Sequence, residues 1–99
     1  MPRPIVFDIE KRVFSSSTID SLLNPFVGRH VLVRITKRKG SAVFSEMHRG
    51  TITKEGERDF LINSLSGEIN ITNLVLFSSA DDPSIARIQV EEIVRNPLV

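Results

Sequence analysis

The sequence predicts a mainly β fold: a small, strongly bent antiparallel sheet that turns over on itself as a barrel, with a short N-terminal helix capping one open end. Three observations predict it. Val31, Val33 and Ile35 alternate with His30, Leu32, Arg34 and Thr36, the two-residue period of a strand with one face on a core. A basic connection follows, Lys37 to Ser41, in which Gly40 is suited to a positive φ. A second extended run then reaches Gly50, and a glycine inside a strand marks the corner where a small barrel folds over.

At the N-terminus, Pro2 and Pro4 favour an extended backbone. Ile5, Phe7 and Ile9 alternate with Val6, Asp8 and Glu10, and Val13 with Phe14 would supply an anchor. Residues 1–16 therefore read as an arm or edge strand, the alternative being a flexible tail. Ser15 to Thr18 offers helix N-cap hydroxyls, and Ile19, Leu22 and Leu23 follow at helical spacing. Asp20 suits the positive end of the helix dipole, Pro25 ends the run and Gly28 completes the exit. This predicts about two turns of helix, closing the barrel with Ile19, Leu22, Leu23 and Phe26.

Beyond the basic turn, Val43 and Met47 share one strand phase and Ile52 the other, which predicts a bulge or sharp bend near Gly50. GERD at 56–59 is a second turn, FLINSL a third strand and LSGE a third turn. GEINITNLVLF reads as a long strand whose continuous LVLF is buried on both sides. SSADDPS at 78–84 is the plainest loop in the chain. For 83–96 two readings stand. Asp82-Pro83 is a good helix start, with Ala86, Val90, Ile93 and Val94 as a stripe. The alternation in IARIQV favours a strand, a tight turn at Glu91-Glu92, and a short last strand Ile93 to Arg95. Residues 17–99 thus form a single barrel domain.

The composition is ordinary for a globular domain, 40% hydrophobic and 25% charged. No run approaches the roughly 18 apolar residues of a membrane span, and the first residues lack a signal-peptide pattern. The absence of cysteine removes disulfide, thiolate and zinc-cysteine chemistry. These features point to a soluble, cytoplasmic protein. The net charge of +1 hides a gradient: residues 29–54 carry seven Lys or Arg against Glu46, whereas 55–99 carry eight acids against three bases. The segregation either marks a polyanion-binding surface or lets two halves, or two protomers, complement each other.

The order of elements, NPFVGRHVLVRIT, the bent MHRGTIT, a hairpin and a closing IARIQVEEIVRNP, resembles the Sm-like version of the five-stranded SH3-type barrel. NPFVGRHVLVRI is also similar to the start of the C-terminal barrel of bacterial ribosome-maturation factors. The ending RIQVEEIVRNP is similar to that of short Sm-like barrels in spore-forming bacteria. The resemblance covers roughly residues 19–97 and implies five strands, edge pairing between protomers and RNA as a ligand class. The family's uridine pocket uses an Asp and an Asn in the second turn and an Arg-Gly pair before the last strand. Here GERDF and QVEE stand in those places, with Asp59 and Asn63 off the family's spacing and Gln89-Val90 in place of Arg-Gly. No uridine-binding residue carries over.

Two binding readings follow. Small barrels expose strand edges, which predicts a homo-oligomer. The basic hairpin 34–49 offers Arg34, Lys37, Arg38, Lys39 and Arg49 to the phosphates of RNA or another polyanion. Tyr and Trp are absent and Phe44 reads as core, so stacking partners are scarce. An unknown protein partner is the remaining possibility. Glu46 and His48 share a strand face about 7 Å apart. With His30 they outline a metal or acid–base cluster, against the simpler reading of a hydrogen-bonded surface histidine. No nucleophile elbow or phosphate-cradling glycine loop occurs. The expectation is a binding module without enzymatic activity or cofactor.

Overall fold

The structure, a computed structural model, describes residues 3–81 and 83–93. It is mainly β and wholly antiparallel. In chain order the elements are β1 (Ile5–Asp8), α1 (Ser16–Leu23), a 3-10 turn (Asn24–Phe26), β2 (His30–Lys39), β3 (Ala42–Thr51), β4 (Thr53–Glu55), β5 (Asp59–Ser64), β6 (Gly67–Asn70), α2 (Ile71–Asp81) and β7 (Ile85–Glu92). Among the described residues, the seven strands lie in two sheets, ordered β1-β7-β2-β3 and β4-β5-β6. The sequence-based expectation of a closed five-stranded barrel is thereby corrected. No ladder joins β6 to β7 among the described residues, and α2 packs against β5 and β7 on that side instead.

The helix α1 forms as its caps dictate. Ser15 Oγ accepts from the Thr18 amide, and Ile19 and Leu23 point into the core with Phe26 from the following turn. An ion pair of 2.7 Å between Lys54 Nζ and Asp20 Oδ1 ties this helix to β4. At the N-terminus, β1 is the edge of the larger sheet, with Phe7 buried opposite Ile88. Phe14 meets Phe7 edge-on at 5.1 Å, whereas Val13 is exposed and anchors nothing.

The core joins both sheets and both helices. Val31, Val33 and Ile35 of β2, Ile88 and Val90 of β7, Phe60 and Ile62 of β5, and Ile71 and Val75 of α2 are all buried. The hairpin between β2 and β3 turns through Gly40 and Ser41, and Gly40 has φ +60°. A two-residue turn with glycine first and positive φ matches the right-handed twist of the flanking strands.

Three sequence readings give way in the second half. The LVLF run is helix, not strand. Asn70 Oδ1 accepts from the Asn73 amide at the helix start, and Ile71 and Val75 form the buried stripe. The buried Thr72 hydroxyl accepts from the Phe60 amide at 3.1 Å and donates to the Arg58 carbonyl at 2.9 Å, pinning α2 to β5. The loop expected over 78–84 is largely the end of this helix. Glu91 and Glu92 form no turn: they continue β7, opposite Leu32 and Val31, and Ile93 donates its amide to the His30 carbonyl. The rest of the last strand expected at Ile93 to Arg95 lies outside the described residues.

Near Gly50 the chain does pass from one sheet to the other, but without a bulge between β2 and β3. Their register runs unbroken from His30↔Thr51 to Lys39↔Ala42. Gly50 and Ile52 both face the core, so Val43 and Met47 lie simply on the opposite, outer face.

Candidate functional site

The third strand has two regimes along its outer edge. Around Gly50 it runs against β5. A Cβ built at Gly50 would stand 2.7 Å from the Asn63 carbonyl oxygen, a space only glycine leaves open. Two residues earlier, His48 Nδ1 and Ser66 Oγ form a 3.1 Å hydrogen bond to the β5–β6 turn. Past His48 the two elements part, leaving an open groove of about 190 Å³ lined by Met47, His48, Arg49, Ser64, Leu65 and Ser66. From residue 47 back to 42, β3 is the last strand of its sheet, and among the described residues nothing pairs on its outer side.

This free edge carries apolar side chains on both faces. Val43 is 58% exposed, Met47 59% and Phe44 45%. Phe44 is thus not the core residue the sequence suggested. Opposite Lys37 at the far end of the hairpin, it lies beyond the reach of the core.

The five cations expected to bind nucleic acid do not form one patch. Arg34, Arg38 and Arg49 sit at outer-face positions of β2 and β3, interleaved with Val43, Ser45 and Met47. Lys37 takes the inner face and meets Glu46 Oε1 at 2.9 Å. Arg38 pairs with Glu10 at 3.4 Å, and Lys39 is exposed beside the turn. Arg87, which the sequence reading passed over, is exposed and stands opposite Thr36 on the outer face. The two-residue period of IARIQV, counted from buried Ile88, was the signal that places it there.

The Glu46, His48 and His30 cluster does not assemble. His48 faces inward opposite Val33, whereas His30 lies in the other phase of β2, opposite Thr51. Glu46 Oε2 approaches His48 Nε2 at 3.6 Å. The Lys37 ammonium, through its hydrogen bond and charge, holds the Glu46 carboxyl below its ordinary range. Among the described residues, no group of three His, Cys, Asp or Glu gathers as a metal site.

No protein family, no curated protein and no solved structure matches the chain. A strand edge offers a row of amides and carbonyls to another strand, and exposed apolar side chains beside it reward their covering. Among the described residues, no helix is long and apolar enough to cross a membrane.

Proposed function

We propose that this chain is a non-enzymatic assembly module whose copies join through the free edge of β3. The observation that carries the reading is the stretch 42–47, an edge unpaired among the described residues, with Val43, Phe44 and Met47 about half exposed. Single exposed apolar residues are ordinary, but three along one unpaired edge mark an interaction strand. The likeness in element order to Sm-like barrels, which pair edges between protomers, supports the same reading, although α2 takes the place of a closing strand. Light scattering over a concentration series tests it. The expected particle exceeds the 11.1 kDa chain mass and returns to it in a Val43→Lys, Met47→Lys double variant. A particle of chain mass at every concentration overturns the reading.

A second reading, RNA binding through the outer face, is favoured by the placement of exposed Arg34, Arg38, Arg49 and Arg87 on that face of one sheet. The Glu10 pairing of Arg38 and the inward turn of Lys37 count against it. Fluorescence anisotropy with a short RNA decides it. Binding whose log K falls by roughly 0.7 per phosphate contact per decade of salt, and that is lost in an Arg34→Ala, Arg87→Ala variant, supports the reading. Salt-independent binding or none rejects it.

A further inference from the structure

We propose that the partner strand is β3 of a second copy, antiparallel, with the two-fold axis at Ser45. This deepens the assembly reading and rests on it. The hairpin fixes which backbone groups are free. Lys39↔Ala42 closes a two-residue turn as a hydrogen-bonded pair, so even-numbered residues of β3 direct their amides and carbonyls to β2. The Ile52 amide, bonded to the Arg29 carbonyl, follows the same phase. Val43, Ser45 and Met47 therefore direct their backbone groups to the free edge.

Two copies of one strand pair only in registers that keep side chains on matching faces, which leaves a short set of axes. An axis at Glu46 puts two carboxylates opposite each other, a destabilising cross-strand pair. An axis at Met47 needs residues 48–51, which run beside Asn63 and Ser66. An axis at Phe44 sets Met47 opposite Ser41 in the turn and leaves it uncovered. The axis at Ser45 sets Val43 opposite the partner subunit's Met47 twice, covering the two most exposed apolar side chains of the edge with each other. On the inner face it places Phe44 opposite the partner subunit's Glu46. Each Glu46 keeps its Lys37, 2.9 Å away, so no acid is left unpaired. The three odd-numbered residues of each copy then exchange about six main-chain hydrogen bonds, and two four-stranded sheets become one.

The chain contains no cysteine, so introduced thiols report the register without background. In a hydrogen-bonded antiparallel pair the Cα atoms lie about 5.5 Å apart, within disulfide range. Mild oxidation of Ser45→Cys is expected to give a covalent dimer. Val43→Cys and Met47→Cys are each expected to remain uncrosslinked alone and to crosslink when mixed. The mixture keeps the test meaningful if Ser45→Cys folds poorly. Self-crosslinking of Phe44→Cys, or a dimer by light scattering in which neither Ser45→Cys nor the Val43/Met47 mixture crosslinks, overturns the register while leaving the assembly reading intact. A chain-mass particle by light scattering removes both.

Discussion

Gly50 lies so close to Asn63 that a side chain's first carbon would stand 2.7 Å from the Asn63 carbonyl and 3.2 Å from Ile62 Cβ. Both obstacles belong to β5, and the carbonyl is backbone, so neither yields cheaply. This one approach carries the chain from the larger sheet to the smaller, and it also sets where the free edge of β3 ends. Gly50→Ala is expected to destabilise the fold by about 1–3 kcal/mol, the usual cost of overpacking. Urea unfolding checks it, with Ser45→Ala, on the exposed edge, as a substitution expected to stay within about 0.5 kcal/mol. Equal midpoints for the two variants would contradict the close packing.

Thr72 stands between α2 and the start of β5. Its hydroxyl satisfies the Phe60 amide and donates to the Arg58 carbonyl in a buried setting. Thr72→Val keeps the shape and orphans both groups, at an expected cost of about 1–3 kcal/mol. Thr72→Ser keeps the bonds and is expected to cost less, by the same unfolding measurement.

Acid sensitivity follows from two carboxylates. Lys54, by hydrogen bond and charge, lowers Asp20 below its ordinary value, and Lys37 does the same for Glu46. A group with a depressed folded value binds its proton less readily when folded. Its contribution is therefore present above the unfolded values, 3.8 for Asp20 and 4.5 for Glu46, and is lost as pH falls through the lower folded ones. Stability measured from pH 6 downwards should fall below about pH 4.5. The fall should be shallower in an Asp20→Asn, Glu46→Gln variant. Both pairs are partly exposed to solvent, so added salt should weaken the effect.

Asn70 is the residue that turns the β6 strand into α2. Replacing it with alanine removes the acceptor for the Asn73 amide and is expected to cost about 1 kcal/mol, read from the thermal midpoint.

That residue also shows what the sequence hid. Ile69, Ile71, Leu74, Val75, Leu76 and Phe77 make a β-branched and apolar run that propensity assigns to a strand. The helix wins through a side-chain cap and the Thr72 bridge, and both depend on where β5 lies in space. The first half was legible because its information is local: Ser15 as cap, Val31, Val33 and Ile35 in alternation, and Gly40 in the turn. Gly50 was legible as a corner. Of the five expected cations, the strand period sorts Arg34, Arg38 and Arg49 onto one face, but the partner of Lys37 comes from the neighbouring strand and that of Arg38 from the turn after β1. The exposure of Phe44 and Met47 was hidden for a further reason: a hairpin ten residues per strand outruns the core that covers its base, and the sequence carries no mark of where the core stops.

Amide hydrogen exchange in β3, followed at two protein concentrations, tests the role of the free edge most directly. The Val43, Ser45 and Met47 amides are expected to exchange fast in dilute protein and to become protected as concentration rises, while those of Phe44 and Glu46, bonded to β2, change little. Rapid exchange at 43, 45 and 47 at every concentration would contradict it.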